Sequence, residues 1–249
     1  LTMLKEIPEA PLKAAFFCAA ILVGCNTDQP PAQATAGQCP ALTTPIASIQ
    51  GDTFRSPRQG QQATVKGIVT LAESGQGLYV EEPGSDMDAA TSNAIFIETA
   101  DWPAAIKTGS VISARGEVAE IGGERNSLTA ITHIDELILC TPAGQALPLT
   151  EVVLPLNSSG REALEGMRIA IDNSMTVTDV YQFKRGKITL SGNGLQFVPT
   201  ERVMPGQEAT DLLSQNRSFS LPALFTQDTD QPGMLVSGLV EAALDGEGR

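Results

Sequence analysis

The sequence predicts an all-β fold: two consecutive OB-like Greek-key barrels, the second lacking its last strand, behind an export leader and a flexible tether. Three observations carry that prediction. Between Cys39 and Cys140, short strand-like segments follow one another, separated by glycine-rich turns. Two segments share the form strand, glycine, strand: Gln62–Leu71 around Gly67, and Gly109–Val118 around Gly116. Such a glycine is where a strongly coiled barrel strand bends. Finally, Gly233–Ala242 repeats the shape of Ser110–Ala119, so the pattern restarts in the second half.

The leader is residues 1–24. Lys5 and Lys13 precede the apolar run Ala14-Ala-Phe-Phe-Cys-Ala-Ala-Ile-Leu-Val23. That run is too short for a permanent membrane span and suits the core of a signal peptide. It ends in Leu22-Val23-Gly24-Cys25, which resembles the bacterial lipobox, in which the cysteine receives diacylglycerol. The resemblance implies lipidation at Cys25 and an exported envelope protein, at the outer membrane or cell surface, touching the membrane through its lipid anchor only. An ordinary signal peptide with an incidental cysteine is the alternative. Residues 25–38 are a polar tether rich in Pro, Ala and Gln, unable to bury enough surface to fold.

The first folded domain is residues 39–141. Its five expected strands are Gln62–Leu71, Gly77–Glu82, Ala94–Glu98, Val111–Glu120 and Leu128–Leu139, with a helical turn over Asp101–Lys107. Five strands in so short a stretch suggest an OB-like barrel, with a sandwich as the other arrangement. Cys39 and Cys140 bracket the domain, and export favours a disulfide between them; a metal or redox pair is the alternative, without a CxxC to support it.

The second domain is residues 142–249. Leu147–Pro155 reads as an extended connector, and Glu165–Ile171 and Met175–Val180 as strands. Lys187–Leu190 and Leu195–Val198 read as a hairpin around Gly192-Asn-Gly194, Ala209–Asn216 as a short helix, and Gly233–Ala242 as a final strand. The strand that would close this barrel after Gly246-Glu-Gly-Arg249 is missing, which suggests a longer natural chain.

Composition limits the chemistry. The chain of 249 residues carries a net charge of −13, so contact with nucleic acid requires a local basic patch. There is one histidine, His133, in the alternating run Leu128–Ile134, where it reads as a strand surface residue. No nucleophile-elbow, phosphate-loop or HExxH motif is present.

Several local motifs together resemble the N-terminal, non-catalytic region of the bacterial secreted endonuclease family, whose catalytic part has the endonuclease/exonuclease/phosphatase fold. They are Ile49-Gln-Gly51 with Ser56-Pro57, Gly60 and Val65-Lys-Gly-Ile-Val69; then Asp86-Met-Asp88 with Thr91-Ser92 and Ala94-Ile-Phe-Ile97. In the second half they are Glu165-Gly-Met167, Thr176-Val-Thr178, Arg185-Gly186 with Thr189-Leu190, Pro199-Thr200 and Gln215-Asn216. Gln182, Lys184, Glu201 and Pro222–Phe225 depart from the pattern. The resemblance implies an accessory portion that positions DNA for a C-terminal nuclease domain in cis. It also implies Mg²⁺ only in that missing domain, because metal-dependent phosphodiester cleavage of this type needs paired histidines. The alternative is a stand-alone envelope lipoprotein whose β domains bind protein or glycan.

Two places could contact ligands. Tyr181, Phe183, Lys184, Arg185 and Lys187, with Arg202, combine aromatic rings and positive charge as single-stranded nucleic-acid sites do. Tyr79 could add to the face of the first barrel. Asp86, Asp88 and Thr91 could place hard oxygen ligands around Ca²⁺, although the full calcium-loop series is not there.

Overall fold

The computed structural model describes residues 38–84, 88–123, 126–171, 174–181, 183, 187–225, 234–236 and 239–240. The leader, Cys25 and the tether up to residue 37 lie outside them. Within them the chain is mostly β, and the five strands expected between the cysteines are all present.

Their bounds are β1 Gln62–Glu73, β2 Gly77–Glu81, β3 Ala94–Glu98, β4 Val111–Gly123 and β5 Asn126–Thr141. They close into a barrel in the order β1-β2-β3-β5-β4. All pairings are antiparallel except β3 with β5, where Phe96 faces Ala130 and Ile97 faces Ile131. The long strands serve two neighbours in turn. Gln62 to Ile68 pair with β4, and from Ile68 onward β1 pairs with β2. Gly67 sits at the crossover, where a Cβ would lie 2.6 Å from the Glu81 carbonyl oxygen. Gly116 stands where the β4–β5 register shifts, and a Cβ there would overlap the Thr132 carbonyl oxygen. The glycines read from the sequence are therefore points of close backbone approach, as a coiled small barrel demands.

Alternation along the strands fills the barrel with Val65, Val69, Leu78, Val80, Ile95, Ile97, Ile112, Val118, Ile131 and Leu137. A short helix, α1 (Ile46–Gln50), adds Ile46 and Ile49, both fully buried, to the same core. The disulfide expected between Cys39 and Cys140 is formed, with Cα atoms 5.4 Å apart. Over Asp101–Lys107, where a helical turn is expected, the chain makes a single turn, with Ile106 N donating to the Pro103 carbonyl at 2.9 Å, and no helix.

The second half departs from the expected truncated barrel. Its described strands are β6 Thr150–Val152, β7 Arg168–Ile171, β8 Thr176–Asp179, β9 Lys187–Ser191, β10 Ser220–Phe225, β11 Met234–Val236 and β12 Leu239–Val240. They form a seven-stranded sheet in the order β6-β7-β12-β11-β10-β9-β8, parallel at β6/β7 and β7/β12. Closure requires strands long enough to stagger and bend around an axis. The first half supplies strands of 12, 13 and 16 residues that do so, and the described strands of the second half pair in an open order instead.

Two local expectations also change. The strand read over Gly233–Ala242 is the pair β11 and β12, with Met234 facing Val240. Leu195–Val198 is not a strand: β9 pairs with β8 and β10 instead. The Gln196 amide donates to Ser191 Oγ at 2.9 Å and to the Asn216 carbonyl at 2.8 Å, and so fastens that segment to helix α3 (Gln207–Phe219). A second helix, α2 (Ser158–Glu162), is N-capped by the Asn157 side chain, which accepts from Gly160 N.

The sheet's core is built from Val152, Leu154, Met167, Ile169, Leu190 and Leu221, and it includes Ala94 of β3. Barrel and sheet therefore share packing within one compact unit. Among the described residues, no helix is long and apolar enough to cross a membrane.

Candidate functional site

Strand β2 decides what the barrel can offer. Its alternation sends Leu78 and Val80 inward and leaves Tyr79 and Glu81 on the outer face, where the sequence suggests solvent. Instead, all five residues of β2 are buried. Tyr79 is only 7% exposed, its ring 4.8 Å from that of Phe96 on the neighbouring strand. The cover is residues 163–168, between α2 and β7. Gly166 takes a positive φ of 70°, which lets the chain turn tightly over the barrel. A Cβ at Gly166 would sit 3.4 Å from Ala94 Cβ and 3.5 Å from the Tyr79 ring. Tyr79 is thus a seam residue, and the outer β2–β3 face is an internal interface.

Buried carboxylates fasten this seam. Glu81, 2% exposed, accepts from Arg168 N at 3.1 Å. Glu165, 5% exposed, accepts from Thr129 N at 2.9 Å, and its backbone carbonyl accepts from Ser92 Oγ at 2.6 Å. Strand β3 pairs with β5 only at Ala130 and Ile131, and the Glu165 carboxyl meets the adjoining Thr129 amide. Thr129 Oγ1 donates to Glu120 Oε1 at 3.2 Å, and the same oxygen accepts from Ser56 N at 2.7 Å. Among the described residues Glu120 Oε2 is buried without a hydrogen-bond partner. The Gln50 amide donates to the Ala94 carbonyl at 2.6 Å.

Burial disfavours charge on such groups. It pushes Glu81 up to about 7, against the Arg168 amide and charge, which favour the ionised form. It pushes Glu165 up to about 8; the Thr129 amide opposes this, while Glu162 and Glu120 reinforce it and the Gln50 side chain opposes it weakly. Tyr79 is raised as well, first by burial and then by Glu73 and Glu165. Glu162 is raised by burial and by Glu120.

The described aromatic–basic residues lie in the second half of the chain and fall into two groups. Tyr181 is 91% exposed and Phe183 57% exposed, at the turn that follows β8, an edge strand. Asp179 Oδ1 accepts from Tyr181 N at 2.7 Å, and Phe183 N donates to the Val180 carbonyl at 3.0 Å, so the turn holds its own shape. Exposed Val177 and Val180 extend the apolar surface. Lys187 begins β9 beside this turn and is half-buried. Lys184 and Arg185 lie outside the described residues. Arg202 belongs elsewhere: its guanidinium stacks 3.8 Å from the centroid of the Phe197 ring. That segment is tied to Ser191, at the opposite end of β9 from Lys187.

At the acidic loop, Asp86 is outside the described residues. One Asp88 carboxylate oxygen accepts from Ala90 N at 2.9 Å, and the Asp88 carbonyl accepts from Thr91 N. That is a side-chain-capped turn. Among the described residues no group of three His, Cys, Asp or Glu side chains could hold a metal ion. His133 is exposed, as its place in the sequence suggests, on the irregular stretch of β5 opposite Gly116, with Nδ1 4.0 Å from Glu117.

The seam carboxylates escape a reading by pattern. Glu81 falls on the polar beat of a strand, and Glu165 opens the strand read over Glu165–Ile171, which in the structure begins only at Arg168. The available signal is the pairing of Glu165 with Gly166 before the apolar Met167. In comparisons with known proteins, no family model and no curated sequence matches this chain.

Proposed function

We propose that this chain is a non-catalytic binding portion of an exported, envelope-anchored DNase-like protein, and that it contacts single-stranded DNA through the turn after β8. The observation that carries this reading is the exposure of Tyr181 and Phe183 on one edge turn, while the outer aromatic face of the barrel is covered. Stacking a base on an exposed ring contributes about 1–3 kcal/mol and tolerates any sequence. Lys187 adjoins the turn, and Lys184 and Arg185 follow Phe183 in the sequence to meet phosphates. The Cys39–Cys140 disulfide supports an oxidising compartment, and with Cys25 it supports export and lipid anchoring. In this reading a nuclease domain in cis performs the cleavage with its own Mg²⁺, and the barrel is the platform that holds the sheet.

The net charge of −13 favours a second reading, a stand-alone envelope module using the same aromatic turn on a glycan or protein. Fluorescence anisotropy with a labelled single-stranded oligonucleotide at low salt separates the two. The first reading expects binding that weakens as salt rises and falls about tenfold or more in Tyr181→Ala. Absence of binding at low salt, or equal binding by that variant, overturns it.

A further inference from the structure

Among the described residues, ionisable groups are buried together against an aromatic face at the seam. We propose that Glu165 and Glu81 form a proton-operated latch, which in its neutral form holds residues 163–168 over the Tyr79–Phe96 face and, once ionised, lets that cover lift. Each carboxyl reaches across the seam. Glu165 leaves the cover for the Thr129 amide of β5, and Glu81 leaves β2 for the Arg168 amide of β7. The Ser92 hydroxyl and the Gln50 amide fix the backbone on either side.

The surroundings set the direction. Glu165 is faced by Tyr79 from β2, Glu120 from β4, Glu162 from α2, Gln50 from α1 and Thr129 from β5. No cation is among them. A charge on Glu165 would therefore be buried against two further carboxyls, one of which already has an unpartnered buried oxygen. At Glu81 the amide and charge of Arg168 favour the ionised form, but burial outweighs both. In the lifted state both carboxyls reach water and ionise at their ordinary values, so lifting releases protons and becomes easier as pH rises.

Amide hydrogen exchange reads this directly at Thr129 and Arg168. With the intrinsic pH dependence of exchange divided out, protection at Thr129 should fall by up to about a hundredfold per pH unit between pH 5 and 7, about tenfold for each carboxyl. Protection at core residues such as Ile97 should hold. Glu165→Gln keeps the carbonyl acceptor for Thr129 and removes one of the two ionisations, so it should leave at most about tenfold per pH unit at Thr129, the share of Glu81. Protection that is flat with pH in the wild-type protein, or a slope left unchanged in Glu165→Gln, overturns the latch. Carboxyl NMR titration of the wild-type protein requires no variant. Two glutamates titrating near neutrality support the latch, and every glutamate titrating below about pH 5 overturns it.

Discussion

Replacing Gly67 by alanine tests the barrel where its long first strand changes partners. The added Cβ would lie 2.6 Å from the Glu81 carbonyl oxygen, 2.9 Å from its carbonyl carbon and 2.7 Å from Val80 Cγ1. Ordinary contact begins near 3.4 Å, so β1 and β2 must part by roughly 0.8 Å. A ladder hydrogen bond of about 2.9 Å stretched that far is no longer one. Two such bonds at about 1 kcal/mol each, with repacking strain of about 1–3 kcal/mol, set the gross loss. The stiffer unfolded chain returns about 0.4–1 kcal/mol. The net expectation is a destabilisation of about 2–4.5 kcal/mol, or a Tm lower by roughly 4–18 °C for a domain of this size. Urea unfolding followed by circular dichroism measures it. Gly123→Ala is the control, because no atom lies within 4 Å of its Cβ position. If Gly67→Ala unfolds at the same urea concentration as that control, the account of Gly67 as a point of forced backbone approach is refuted.

Two further outcomes follow from the same packing. Removing the disulfide with Cys39→Ser and Cys140→Ser, which frees a loop spanning a sequence separation of 101, should lower the unfolding free energy by about 4–5 kcal/mol in the chain-entropy limit. Denaturant melts with and without reductant check this, and a loss below about 1 kcal/mol contradicts it. Global stability should also depend on pH through Glu165 and Glu81, whose folded values lie near 8 and 7. Because these are raised above the unfolded value, the stabilisation is complete below about pH 4.5 and is lost as pH rises through 7 to 8. The slope is up to about 1.4 kcal/mol per pH unit for each carboxyl. Melts of Glu165→Gln against the wild-type protein should show the smaller decline in the variant between pH 5 and 8; parallel curves contradict the assignment.

The barrel was legible because its determinants are local. Alternation at Val65, Leu78 to Val80 and Ala94 to Ile97, with glycines at 67 and 116, specifies strands and their bends without reference to partners. The strand Ala94–Glu98 matches the reading from the sequence end to end. The second half was less legible because its sheet order joins segments that are not neighbours in sequence. The breadth of its sheet depends on partners such as β7 and β12 that lie far apart in sequence. The aromatic turn was visible as residue types, but Arg202 is drawn to the far end of β9 by Phe197 and Gln196, and no spacing rule encodes that. The seam was the least legible. Whether Tyr79 and Glu81 meet water depends on a cover more than eighty residues away along the chain, and only the folded arrangement brings them together.

The central claim is that the face open to ligand is the turn after β8, while the Tyr79–Phe96 face of the barrel is sealed near neutral pH. Amide and aromatic NMR shifts during titration with a short single-stranded oligonucleotide, at pH 6 and low salt, test it most directly. The account predicts the largest changes at Tyr181, Phe183 and Lys187 and none at Tyr79, Phe96 or Thr129. Changes concentrated on Tyr79 and Phe96, or no changes at any residue, would contradict it.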